Sequence, residues 1–297
     1  MRRKEENITK TKIKILKKRK PNRSIAGDFF LYLFLVIMAI AMVFPLVFTI
    51  SSSLKPLDEL FKVPPTIFAQ HPTLDNFADL FVTMSKSWVP FSRYIFNTVF
   101  LTVVGTAGHL IIASMGAFVV AKYEFPGSKA FFNIVVTALM FNGMVTQIPN
   151  YLVHNALGWI DTYWSIIIPA FALPMGFFFM KQFMESLPMS LVEAAKIDGA
   201  NEWRVFIGIV MPNVKPAWLT MIIYSVQGLW NSPASMYIYS EDRKTLVYAL
   251  GQVAGGGIAR TGQAQAVAVI IMIVPIITFI LSQNQIMETM ASSGLKD

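Results

Sequence analysis

Glu193-Ala194-Ala195-Lys196-Ile197-Asp198-Gly199-Ala200, followed by Ile209-Val210-Met211-Pro212, is the most informative segment of this chain. It is polar and helix-forming, yet it lies between two apolar stretches. Small residues, a glycine break and a closing proline stand at fixed spacing. A membrane protein that only passed a solute has no need of such an insert; one moved by a soluble partner needs a docking element of this kind. Pro188 opens a helical segment where its missing N–H costs nothing. The next nine residues fit about two and a half turns, and Gly199 ends them. Asn201 is suited to cap a second short helix over 202–210, with Glu202 at its positive end. Pro212 and Pro216 are expected to stop that helix and redirect the chain. The predicted element is a helix–turn–helix lying on a membrane surface. In it Ala194 and Ala195 are small enough to enter a tight cleft, and Glu193 and Asp198 supply anchoring charges. Trp203 and Phe206 either pack back on the membrane helices or fill a partner's pocket. An ordinary interfacial amphipathic helix shares the local pattern.

Outward from the insert (181–216), the chain reads as a membrane protein. Of 297 residues 55% are hydrophobic and only 14% charged, against about 25% charged in soluble domains. Six stretches contain no Asp, Glu, Lys or Arg: 29–50, 96–120, 131–148, 163–180, 217–232 and 264–281. A crossing helix needs about 20 apolar residues, so the fifth stretch is the weakest, being short and polar at both ends. Unsatisfied backbone is excluded from lipid, so these are helices; a barrel would alternate apolar and polar residues. The fold class expected is all-α, polytopic, with six transmembrane helices.

The first 28 residues hold eleven of the 25 basic residues. With this tail (1–28) cytoplasmic and the transmembrane domain at 29–297, 18 basic residues fall on the cytoplasmic side and seven outside, in keeping with the positive-inside rule. Both termini and the insert are then cytoplasmic. The tail reads as a topology signal touching anionic lipid; no folded basic surface follows it, so nucleic acid is not an expected partner. The first stretch is too long for a signal-peptide core. There are no cysteines, which removes disulfides, thiolate metal sites and cysteine nucleophiles.

Residues 51–95 form the longest polar connection, with Leu74, Phe77 and Phe81 expected on one side of a short amphipathic helix. Gly105, Ala107, Gly108, Ala113, Ser114, Gly116 and Ala117 suit close helix packing. His109, the one ionisable side chain within these stretches, reads as a structural hydrogen-bonding group. Gly143, Pro149, Pro169, Pro174 and Pro275 are expected to interrupt or bend helices. Candidates to line a solute path are Asn142 and Gln147 in the third stretch and Gln227, Trp230 and Asn231 at the fifth. The acidic pairs Asp58-Glu59 and Glu241-Asp242 read as solvated loops. No charged side chain lies within the six stretches, so an ion-coupled carrier lacks its relay, and the glycine-rich segment 255–262 lacks the Gly-Lys-Ser/Thr order of a phosphate loop; the energy for any transport must then come from another chain.

The insert's spacing resembles the EAA motif of bacterial ABC importer permeases: Glu193, Ala194, Ala195, Gly199, Ile209 and Pro212 fall in register, with Met211 at the usual leucine. Asp198-Gly199-Ala200 is similar to the carbohydrate-uptake, maltose-permease-like branch. So are Ala121-Lys122-Tyr123-Glu124-Phe125-Pro126-Gly127, Gly158-Trp159-Ile160-Asp161-Thr162, Asn97-Thr98 and the ending Ser293-Gly294-Leu295-Lys296. The resemblance implies a type I ABC importer permease fold in a bacterial cell membrane, with no catalysis and no cofactor in this chain. It implies a homologous sister permease, two cytoplasmic ATPases that bind ATP and magnesium, and an external solute-binding protein. It assigns Glu193, Ala194, Ala195, Asp198, Gly199, Ala200, Ile209 and Pro212 to ATPase coupling. The solute it suggests is a sugar or oligosaccharide. A peptide or other polar nutrient, and a membrane enzyme acting on lipid-linked sugars, remain alternatives.

Overall fold

The computed structural model describes residues 25–141 and 143–293, with side chains placed to residue 283. Residues 1–24 of the basic tail, the path candidate Asn142 and Gly294-Leu295-Lys296 of the ending lie outside the described residues. All described regular structure is helical: α1 (Ile25–Ser53), α2 (Leu57–Leu60), α3 (Asp75–Ser85), α4 (Phe91–Lys122), α5 (Ser128–Leu139), α6 (Gly143–Ala156), α7 (Trp164–Phe171), α8 (Pro174–Ser186), α9 (Met189–Ile197), α10 (Glu202–Asn213), α11 (Lys215–Trp230), α12 (Leu246–Ala254) and α13 (Thr261–Ser293). The chain divides into two compact units at Phe48 and Thr49, and the packing that follows belongs to the second.

Four segments are long and apolar enough to cross a membrane unaided: Gly27–Ser53, Phe91–Lys122, Trp164–Glu185 and Ile258–Gln283. Two more arise if the bent pairs α5/α6 and α10/α11 each count once, which gives the six expected crossings. The third crossing is not the single rod that its composition suggests. It turns by 112° between α5 and α6, just ahead of Gly143, a residue with poor helix propensity, while Pro149 lies inside α6. In the fourth, the break comes at Ala172 and Leu173, because the residue before Pro174 is held extended (φ −62°, ψ 118°) by the proline ring. Pro45 and Pro275 sit within continuous helices.

The hub is α4. Its small residues do what lipid-phase packing requires: a Cβ on Gly108 would stand 2.0 Å from the Phe171 ring. Midway along α4, fully buried His109 joins three helices. Its Nδ1 lies 2.6 Å from Ser225 Oγ on α11, and its Nε2 lies 3.2 Å from the Leu173 carbonyl at the break in the fourth crossing. A carbonyl only accepts, so Nε2 carries the proton and Nδ1 takes the serine hydroxyl. This is the structural hydrogen bonding expected of it. Gly176 is tied to the same point, since a Cβ there would fall 2.2 Å from His109 Nε2.

Two apolar clusters flank this centre. One joins Ala113, Ala117 and Phe118 of α4 to Met180 and Met184 of α8 and to Val192, Ala195, Val205, Phe206 and Val210 of the insert. The other, at the opposite end, gathers Leu80, Met84, Tyr94, Trp230, Leu250 and Ala266. Helix α3 enters that second cluster on a different face from the expected one. Asn76, Leu80 and Met84 are buried while Leu74 and Phe81 are exposed. The rotation brings the Asn76 amide to the carbonyls of Ser53 and Lys55 at 2.9 and 2.7 Å, and those acceptors would otherwise be stranded.

Candidate functional site

The insert is built by local rules. Pro188 precedes α9, and the helix ends in a complete Schellman cap. Gly199 takes φ +81°, donates to the Lys196 carbonyl at 3.0 Å, and Ala200 donates to Ala195 at 2.9 Å. A side chain at 199 would strain that left-handed turn, which explains the glycine four residues after Ala195. Asn201 Oδ1 then accepts the Arg204 N–H at 2.9 Å as the N-cap of α10. From Phe206 to Val210 the helix widens to a π turn. The widening lies just ahead of Pro212, whose ring would strike a carbonyl four residues back in a regular helix. Pro212 therefore stands inside the last turn, Met211–Asn213, rather than ending the helix. The chain bends by 80° at Val214 into α11. Trp218 Nε1 on the Met211 carbonyl (3.1 Å) and Asn213 Nδ2 on the Ile209 carbonyl (2.7 Å) hold the bend.

The expected docking residues separate by face. Glu193, Ala194, Asp198 and Gly199 are exposed, and Ile197 beside them is an apolar residue 86% exposed. Ala195 does not belong to that surface: it is 7% exposed and packs with Val192 in the protein's own core, one helical turn apart on the inward stripe. Ala200 and Ile209 pack against the same core. Pro212 is exposed. Phe206 packs back on Phe118, with ring centroids 5.4 Å apart, while Trp203 stays exposed.

A clasp ties the insert to α4. Glu202 ion-pairs with Lys196 at 2.7 Å and accepts the Tyr123 hydroxyl, and the Lys196 ammonium lies 4.8 Å over the Tyr123 ring. The Lys196 and Tyr123 hydrogen bonds hold the Glu202 carboxyl below its ordinary value, and Glu202 in turn pushes Lys196 up. In sequence each residue has its own local reading: a turn aromatic, a helix-end cation and a helix-start anion. Their meeting in space is invisible there.

The opposite end is laced by hydrogen bonds. Asp161, at φ +58°, accepts the N–H groups of Tyr239 and Ser240 at 3.0 and 2.8 Å, accepts the Ser240 hydroxyl, and lies 3.5 Å from the Arg243 guanidinium. Burial works to raise its pKa, but the Ser240 and Tyr239 donors and Arg243 prevail and hold it low. Fully buried Asn97 donates to the Asp242 and Lys244 carbonyls at 2.9 Å each and accepts Tyr163 OH at 2.8 Å. Glu241 is not simply solvated: it accepts the Tyr94 hydroxyl at 2.9 Å and pairs with Lys244 at 2.9 Å. Nor is Glu59, which is 2% exposed. It accepts the Gln70 and His71 N–H groups at 2.8 and 3.3 Å and the Thr66 hydroxyl at 3.0 Å. Burial would raise its pKa, yet those donors hold it low.

Of the path candidates, Gln227 and Asn231 come together. They line an open cleft of ≈540 Å³ between α7 and α11 with Tyr224, Ser232 and the kink at Pro169. Trp230 faces the other way, buried in the second cluster with its indole N–H on the Ile271 carbonyl at 3.0 Å. Gln147 is exposed on α6, away from that cleft's lining. Among the described residues no group of three or more His, Cys, Asp or Glu could hold a metal ion.

A multi-crossing helical bundle with a surface helix–turn–helix and a cleft between α7 and α11 has the architecture of a membrane permease subunit. The chain belongs to the binding-protein-dependent transport system inner membrane component family, whose model matches residues 18–290. It is similar to Protein LplC of Bacillus subtilis (34% identical; 71% of this chain, 70% of the relative). It is also similar to the polygalacturonan/rhamnogalacturonan transport system permease protein YtcP of the same organism (31%; 72% and 73%). Among solved structures it resembles a chain of a bacterial ABC transporter involved in import of the acidic polysaccharide alginate. The TM-score is 0.76 at 22% identity, over 89% of this chain and 99% of that one; this establishes the shared importer-permease fold.

Proposed function

We propose that this subunit forms half of a translocation path for an oligosaccharide and is driven through its insert by cytoplasmic ATPases. The sister permease supplies the other half, an external binding protein delivers the solute, and ATP and magnesium bind on the ATPases. The insert and both termini face the cytoplasm in this reading, which the distribution of basic residues supports. The observation that carries the docking role is the exposed knuckle Glu193, Ala194, Ile197, Asp198 and Gly199, held rigid by its Schellman cap and joined by an 80° bend to the path-lining helix α11. Ala195, Ala200, Ile209 and Pro212 shape the knuckle from behind or at its base. For the solute, the support is the amide-and-aromatic part of the cleft lining (Tyr224, Gln227, Asn231), which matches sugar hydroxyls, together with the relative named as a polygalacturonan/rhamnogalacturonan transport system permease. The discriminating experiment reconstitutes the complete importer with a panel of oligosaccharides and peptides. Gly199→Pro should leave membrane insertion intact and abolish uptake. Unaltered uptake and ATPase association in that variant would sink the docking role, and uptake of peptides alone would replace the sugar reading.

A further inference from the structure

The connection after α1 turns its polar groups inward and its apolar groups outward. Glu59 takes the N–H groups of Gln70 and His71, and Ser51 Oγ takes that of Ala69 at 2.9 Å. Lys55 donates to the Thr66 carbonyl, and the Thr73 N–H meets the Leu54 carbonyl at 2.8 Å. The outside then presents Leu57, Phe61, Val63, Ile67 and Phe68, with Val63 93% exposed. Irregular backbone tolerates an apolar medium only when its donors and acceptors are satisfied internally; here the N–H groups of Glu59, Leu60, Lys62, Ala69, Gln70 and His71 are satisfied, which suits the loop to the hydrated boundary layer rather than to the hydrocarbon core.

Its place in the fold points to the same medium. The bond from Ala69 to Ser51 sets Phe68 beside the last turn of the first crossing. Leu57, four residues beyond Ser53, lies within about 14 Å of that helix end, within reach of the headgroup layer that flanks the hydrocarbon core. Asp58 and Lys62, the charged residues within 56–68 other than the inward Glu59, are exposed, and Lys62 bonds Gln70 Oε1 at 3.2 Å. A lysine on that rim reaches lipid phosphate while its stem stays in the apolar layer.

We propose that residues 57–68 are a lipid anchor, seated in the boundary between headgroups and acyl chains on the side opposite the insert. It fixes the end of the first crossing to the membrane surface while the rest of the bundle rocks. The absence of cysteine makes the test clean. Val63→Cys and Phe68→Cys, each spin-labelled in the full importer complex, are compared with Asp79→Cys on the exposed face of α3 in phosphatidylethanolamine/phosphatidylglycerol vesicles. The ratio of oxygen to nickel-chelate accessibility is expected to be several-fold higher at 63 and 68 than at 79. Water-like ratios at both positions overturn the anchor. So does exclusion of both reagents with a frozen label, which would mean that a protein subunit covers the loop. Val63 makes no buried contact to lose, so its variant decides the matter even if Phe68→Cys fails to assemble. Glu59→Ala, which frees two backbone donors, should lower the ratio at Val63→Cys toward that of the control.

Discussion

Both ends of the bundle have an apolar cluster, but the end opposite the insert adds a lace of directional hydrogen bonds that the insert end largely lacks. At the insert end the contact is a greasy one: Phe118, Met180, Met184, Val205 and Phe206 interdigitate, and one exposed clasp of Tyr123, Lys196 and Glu202 crosses the surface. At the opposite end Asn97, Asp161 and Glu241 stitch loops to helices through directional hydrogen bonds. Apolar surfaces, with flexible methionine among them, slide and repack at small cost, whereas buried hydrogen bonds must be broken one by one. The contrast suits a device that is pushed at one end and keeps its shape at the other.

Breaking the stitched end should produce the largest effect. Asn97→Leu removes the acceptor of the Tyr163 hydroxyl and the side-chain donor to the Lys244 carbonyl, while the Asp242 carbonyl keeps Arg93 as a donor; it should cost about 2–3 kcal/mol, read as a large fall in melting temperature of the detergent-solubilised complex. Overfilling the greasy end comes next. Ala195→Trp should destabilise by about 1–3 kcal/mol, whereas Ala194→Trp should leave melting unchanged and weaken ATPase association. If the two variants behave alike, the separation of inward and outward faces is wrong.

Titration sharpens the contrast further. Asp161 has a lowered pKa, so its contribution is complete at neutral pH and is lost as pH falls through that lowered value, below the ordinary carboxylate value. Melting temperature should therefore drop in strong acid, and Asp161→Asn should flatten the drop. The smallest change in stability is expected at the clasp. Glu202→Gln removes an exposed ion pair of little thermal consequence, yet it should lower uptake per ATP hydrolysed, because the insert then keeps only its yielding apolar contact with α4. An unchanged ratio would make the clasp mere surface decoration.

What the sequence revealed was whatever depends on near neighbours. The cap at Gly199, the Asn201 N-cap and the break before Pro174 follow from backbone sterics within a few residues, and all are legible. The six apolar stretches are legible too, although a hydropathy run cannot register the turn before Gly143. Faces were harder. In α3 the stripes 74/77/81 and 77/80/84 are both apolar, and the choice fell to the Asn76 amide, whose acceptors lie more than 20 residues away. Ala194 and Ala195 are identical in composition, and only the position of Val192 against the core tells them apart. Trp230 reads as a sugar platform until Ile271 supplies its acceptor. Glu59 reads as solvated until the loop closes over it.

The imidazole of His109 carries a consequence for how the bundle moves. A ring with one nitrogen committed to a serine and the other to a main-chain carbonyl ties the second, fourth and fifth crossings together at a single point. Pulling any one of them away would unpair it in a medium that punishes unpaired groups. The three crossings are thus pinned at the waist, and displacement at either end has to pivot about that point.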